Sequence, residues 1–129
     1  MVVGGYNSYN GRLSSVELFP LPTSNDCKVP GLPHSREEHT LSLLSGGRLV
    51  VCGGTRSDCY SWAAGDTSWS FLYNMRYSRY LPVAWTPPSL PDSIVLFGGS
   101  HSSNRRNAEV VPGNSSLYLA IFALLDQYY

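Results

Sequence analysis

Apolar residues in this chain come in short runs of four to six, each bounded by glycine, proline, asparagine, aspartate or serine. Runs of that length, rich in β-branched and aromatic residues, predict strands separated by turns. Three of them finish the same way: Val2-Val3-Gly4-Gly5, Leu49-Val50-Val51-Cys52-Gly53-Gly54 and Ile94-Val95-Leu96-Phe97-Gly98-Gly99. The first glycines stand at 4, 53 and 98, a period of about 45–50 residues, and a fixed period of that size marks a repeat architecture.

The flanks of the glycine pairs can be laid over one another. Ahead of the second pair runs Leu32 to Leu44, and ahead of the third runs Asn74 to Thr86. Each segment carries arginine near the start of a short strand, Arg36 in one and Arg76 and Arg79 in the other. A turn follows in both, Ser45-Gly46-Gly47 and Pro87 to Asp92. After each glycine pair a third strand is expected, at Ser15–Phe19, Asp58–Trp62 and Ala108–Val111. A fourth is clear in the middle unit, at Thr67–Leu72 after the turn Ala64-Gly65-Asp66.

A strand that ends in Gly-Gly can leave its sheet sharply and let a neighbour approach bare backbone. Gly4, Gly5, Gly53, Gly54, Gly98 and Gly99 are therefore expected to be structural turns. A phosphate loop needs its glycines to open a helix, whereas strands follow here. Arg36 and His39 could form an anion or metal site. The plainer expectation is a strand-start arginine and a partly buried histidine hydrogen-bonded between repeats.

With these residues in view the chain resembles the kelch repeat. The resemblance rests on Arg36 and His39 ahead of a strand, an apolar strand ending in Gly-Gly, an aromatic third strand, and Trp69 in the fourth. It implies an all-β fold, a partial kelch-type β-propeller of about two to three four-stranded antiparallel blades. It covers residues 1–113, as a partial blade at 1–31, a blade at 32–73 and an incomplete blade at 74–113, with an apolar C-terminal segment at 114–129. Leu81-Pro82 stands where the second unit has its histidine, and no tryptophan strand follows Val110. The cysteine-containing variant, with Cys27, Cys52 and Cys59, is similar to large invertebrate kelch-type proteins. Propellers close with typically four to eight blades, so the expectation is an arc of a larger ring or a truncated product. Uncapped end blades would favour self-association.

Composition narrows the functional classes. The 129 residues carry zero net charge and only 14% are charged, with eight arginines against one lysine, Lys28. Nucleic-acid binding leaves a basic face or stripe, and none is visible. The stretch Leu117–Leu125 is apolar but short, where a membrane span needs about 20 residues. It suits a short terminal helix capped by Asn114 or Ser115, or a strand docking on a blade edge. No secretory signal opens the chain. Cys52 and Cys59 close and open antiparallel neighbours and could bridge, while three buried thiols in a reducing compartment is the alternative. Asn114-Ser115-Ser116 is a glycosylation sequon in a secreted protein. Extracellular and cytoplasmic locations both stay open.

Chemistry is sparse. His34, His39 and His101 do not group with cysteine or acid at zinc-like spacing, and no Gly-x-Ser-x-Gly elbow occurs. Glu37-Glu38 is expected to solvate a loop. Kelch-type copper oxidases use tyrosine, cysteine and histidine, but Cys59 and Tyr60 are adjacent in one strand and face opposite sides. No catalytic residue, cofactor or metal is expected. The reading is a non-catalytic protein-binding module whose partner is unnamed, working through the loops that follow Gly-Gly. These are Tyr6 to Gly11, Thr55 to Asp58 and Ser100 to Asn107, with Tyr6, Tyr9, Arg56, Arg105 and Arg106 as interface residues. The alternative is a fragment of a secreted propeller enzyme or carbohydrate-binding protein, copper-oxidase-like.

Overall fold

A computed structural model of the chain describes residues 1–19, 29–90, 92–100 and 107–113. Those residues form an all-β structure. Its strands are β1 (Val2–Asn7), β2 (Gly11–Glu17), β3 (His39–Leu43), β4 (Leu49–Gly53), β5 (Asp58–Trp62), β6 (Ser70–Asn74), β7 (Val83–Trp85), β8 (Ser93–Phe97) and β9 (Ala108–Pro112). They make three antiparallel sheets, ordered β1-β2, β3-β4-β5-β6 and β7-β8-β9. No helix occurs among the described residues.

The middle sheet explains the architecture. Successive side chains of a strand point to opposite faces, and β4 is apolar on both. Val50 and Cys52 join one core with Cys59, Leu44, Met75, Ile94, Leu96 and Val111. Val51 joins another with Val3, Leu32 and Trp69, supported by Leu49, Tyr60 and Trp62. The middle sheet is thus buried against the third sheet on one face and the first on the other. That is why β4 reads as an unbroken apolar run rather than an alternating one. In the third sheet Ile94, Leu96 and Val111 face back toward the middle sheet.

Backbone contacts between sheets repeat in register with the sequence. The amide of Gly5 donates to the carbonyl of Arg36 at 2.8 Å, and the amide of Gly54 donates to the carbonyl of Arg79 at 2.8 Å. A Cβ on Gly4 would lie 2.7 Å from the Arg36 oxygen, and one on Gly53 would lie 2.8 Å from the Arg79 oxygen. Both glycines also hold positive φ, 59° and 81°, so no other residue fits either place without strain. Two residues past each arginine the turn again has positive φ, at Glu38 (55°) and Leu81 (51°). The Leu81 amide donates to the Glu38 carbonyl at 2.8 Å. The same short backbone device therefore seats the second sheet on the first and the third on the second.

Several boundaries differ from the sequence expectation. Gly4 and Gly5 lie inside β1 rather than at its end, where the pairing shifts register between Val3 and Gly5. The glycines act there as a bulge, which keeps the ladder going while re-aiming the strand. Gly53 is the last residue of β4, and Gly98-Gly99 follow β8. β2 begins at Gly11 rather than Ser15, because the hairpin turn is tight and pairs Asn7 with Gly11. β6 spans Ser70–Asn74, so Trp69 precedes the fourth strand instead of lying in it. Its indole N–H donates to the Pro30 carbonyl at 2.9 Å, which draws the ring out of the ladder and into the core of Val3, Leu32 and Val51. β7 is cut to three residues by Pro82 before it and Pro87 after it. The described sheets hold two, four and three strands, so only the middle one has the four expected of each blade. The C-terminal segment, with its expected helix and Asn114, and Cys27 lie outside the described residues.

Candidate functional site

The two arginines that begin the repeat units are buried and do the same work. Arg36 is fully buried. Its Nη1 donates to the Gly53 carbonyl at 3.3 Å and the Asp58 carbonyl at 3.0 Å, and its Nη2 donates to Asp58 Oδ1 at 2.9 Å. Arg79 repeats the pattern one sheet on. Its Nη1 donates to the carbonyls of Gly98 at 2.7 Å and Asn107 at 2.9 Å, and its Nη2 faces Glu109 Oε2 at 3.5 Å. Each guanidinium thus clamps the exit of a sheet's second strand to the entry of its third. The planar fork suits such paired carbonyls and carboxylates better than an ammonium would.

The electrostatics follow from this burial. Desolvation lowers the Arg36 pKa, and the charge and hydrogen bond of Asp58 work against that. For Asp58, burial pulls the pKa upward, but the Arg56 hydrogen bond and the Arg36 charge overcome it and hold the carboxyl below its usual value. Arg56 Nε donates to Asp58 Oδ2 at 2.9 Å, so one carboxylate carries two arginines. The His39 pKa is lowered, first by burial and then by the nearby Arg36 charge, against a hydrogen bond to the Val3 backbone. His39 is therefore a neutral ring wedged between the first two sheets.

At this end of the middle sheet lie two clefts that share one wall. One, of about 450 Å³, is lined by Thr55, Arg56, Ser57, Asp58, Asn74, Arg76, Tyr77 and Ser78. The other, of about 410 Å³, is lined by Tyr73, Arg76, Tyr77, Arg79, Asn107, Ala108 and Glu109. The guanidinium of Arg76 lies over the Tyr77 ring at 5.5 Å, a cation–π contact. Glu109 ties the wall to the third sheet, accepting from the Arg76 amide at 2.8 Å and from the Tyr73 hydroxyl at 3.4 Å. Lining the clefts stand Arg56, Arg76 and Arg79 against Asp58 and Glu109. The neutral chain is locally cationic here.

Of the residues singled out from sequence, Arg56 lines a cleft. Tyr6 and Tyr9 are exposed on the first hairpin, whose Arg12 pairs with Glu37 at 2.8 Å, so Glu37 is not merely a solvated loop residue. Arg105, Arg106 and His101 lie outside the described residues. Cys52 and Cys59 face each other across β4 and β5 and are joined by a disulfide, with Cα atoms 4.3 Å apart. Sequence reasoning missed Arg76 and Tyr77, which sit in the connection between sheets, and Asn74, the last residue of β6. It also missed the clamp role of Arg79, although that residue stands in the repeat position of Arg36. Among the described residues no group of three or more His, Cys, Asp or Glu side chains gathers as metal ligands would. Among them, too, no helix is long and apolar enough to cross a membrane. Comparison with family models and with curated proteins finds no match.

Proposed function

We propose that the chain is a non-catalytic protein-binding module built on kelch-type blades, and that its binding face is the loop end bearing the two arginine-walled clefts. The observation that carries this is the shared Arg76–Tyr77 wall with Arg56 beside it, on a loop whose two ends the buried Arg36 ties together. Arginine and tyrosine are the residues that anchor protein interfaces. Three sheets stacked face to face, with cores on both sides of the middle one, support the blade reading. The surplus of guanidinium over carboxylate at the clefts favours an acidic segment of a partner over a basic one.

Cross-linking mass spectrometry on the wild-type chain and on a variant carrying Arg56→Glu and Arg76→Glu tests this. A partner that cross-links through residues 55–58 and 73–79 of the wild type and is lost from the variant supports the reading. Partners indifferent to both changes would move the binding face elsewhere. The Cys52–Cys59 disulfide favours an oxidising compartment, which is checked by a mass gain of about 2 Da on reduction of the protein isolated from its source.

A further inference from the structure

The cleft of about 450 Å³ holds hydrogen-bond donors that the fold does not use. Ser57 Oγ donates to Asn74 Oδ1 at 2.9 Å, and the Met75 amide donates to the Ser57 carbonyl at 2.8 Å. These bonds tie segment 55–58 to segment 74–78 and bring Arg56 and Arg76, one on each, to the same cleft. Arg56 uses only its Nε within the chain, on Asp58 Oδ2 at 2.9 Å, so both Nη groups are left over. Among the described residues the Arg76 guanidinium makes no hydrogen bond and lies over the Tyr77 ring instead. The Asn74 amide nitrogen and the hydroxyls of Thr55 and Ser78 likewise find no partner among them. The acceptor side is already occupied: Asp58 Oδ1 takes Arg36 and its Oδ2 takes Arg56.

We infer that this cleft takes a phosphate monoester carried on a residue of the partner's acidic segment, an inference that rests on the binding face proposed above. A carboxylate has two coplanar oxygens, and a single guanidinium fork satisfies both. A phosphate ester has three terminal oxygens and a charge of about −1.5 to −2 at pH 7. That number and charge suit two guanidiniums from separate segments, with hydroxyl and amide donors beside them. Both cations are arginine, whose planar fork recognises phosphate bidentately. A sulfate ester has the same shape but one charge, and leaves one guanidinium unmatched. The volume falls in the range of small-molecule sites, so the side chain bearing the ester enters with it. Arg56 is 43% exposed and Arg76 is exposed as well. Solvent screens both, so the ester alone binds weakly and the flanking segment supplies the remaining affinity.

Amide NMR of the isotope-labelled full chain tests this, by titration at fixed ionic strength with phenyl phosphate, inorganic phosphate, phenyl sulfate and acetate. Phenyl phosphate should shift the amides of residues 55–58 and 74–78 saturably, with a Kd on the order of millimolar. Inorganic phosphate should bind no more tightly, and phenyl sulfate and acetate at least about fivefold more weakly. Arg76→Gln breaks no hydrogen bond of its guanidinium among the described residues and should weaken phenyl phosphate at least about fivefold. Arg12→Gln, on the first hairpin, should leave that affinity unchanged. Acetate or phenyl sulfate binding as tightly as phenyl phosphate overturns the proposal, as do shifts that never saturate or that Arg76→Gln leaves unaffected. Inorganic phosphate binding more tightly than the ester would assign the cleft to the free ion and overturn it too. If these titrations fail while a cross-linked partner is still lost from the variant carrying Arg56→Glu and Arg76→Glu, the phosphate ester alone falls and the binding face stands. Saturable phenyl phosphate binding with no partner at this face would instead overturn the protein-binding reading.

Discussion

Replacing Arg36 with methionine tests the clamp directly. The change keeps much of the side-chain length and removes a fully buried guanidinium with three hydrogen bonds. It leaves the carbonyls of Gly53 and Asp58 short of a donor and strips Asp58 of one of its two arginines. An unpaired buried polar group costs about 1–3 kcal/mol, and breaking a buried ion pair from one side costs about 3–5 kcal/mol. The two overlap here, because the buried Asp58 keeps Arg56 as a partner, so the expected loss is about 3–4 kcal/mol. Against a typical stability of about 5–15 kcal/mol, that would shift a urea midpoint severely. Arg56→Gln is the internal control. Arg56 meets the same carboxylate at 2.9 Å, but its own side chain is 43% exposed, so solvent offsets much of its loss and the expected cost is about 0–1 kcal/mol. Chemical denaturation of both variants, followed by circular dichroism, gives the comparison. A shift for Arg36→Met no larger than that for Arg56→Gln would refute the clamp and reduce the buried arginine to filler.

Three further outcomes are expected. Because the folded-state pKa of His39 lies below its unfolded value of about 6.5, the unfolded chain takes up a proton first as pH falls. Stability should therefore drop as pH descends below about 6.5, and His39→Gln should flatten that part of the pH–stability curve; an unchanged curve counts against the buried neutral ring. Gly53→Ala should cost at least about 1–3 kcal/mol, from positive φ and a Cβ placed against the Arg79 carbonyl, whereas Gly46→Ala, with open space around it, should fall within about 0.5 kcal/mol of wild type; equal urea midpoints would remove the steric argument. Replacing Cys52 and Cys59 together by alanine opens a loop with a sequence separation of 7 and should lower stability by about 2–3 kcal/mol, read by calorimetry with and without reductant on the wild type as a second measure.

What was legible in the sequence follows from where each residue gets its instructions. β4 and β5 lie between two cores, so every position of β4 is under apolar demand, and their ends match the sequence reading. β8 is similarly clear because Ile94 and Leu96 must meet the middle sheet. The ends of β2 and β6 were misplaced because tertiary contacts decide them. The Trp69 indole is pulled aside by a carbonyl at Pro30, nearly forty residues away in the chain. Period and flanks marked the arginines as repeat positions. They could not show that a guanidinium at 36 reaches the carbonyls of Gly53 and Asp58, since nothing in local pattern encodes a contact closed only by folding. The clefts were harder still, because Arg76 and Tyr77 belong to a connection with no periodicity.

The two-faced middle sheet has a consequence for how such a chain can be divided. Val50 and Cys52 belong to one core and Val51 to the other. The piece that folds is therefore the boundary between neighbouring sheets, not the sheet that the sequence repeat delimits. A cut made at repeat borders would free a sheet with both greasy sides wet, while a cut through the middle of a repeat would damage one boundary and spare the other. Gene rearrangements that gain or lose whole repeats thus change the number of boundaries one at a time. Because each boundary is fastened by the same glycine amide on the same arginine carbonyl, a unit inserted anywhere in the series arrives with both halves of its fastening already in place.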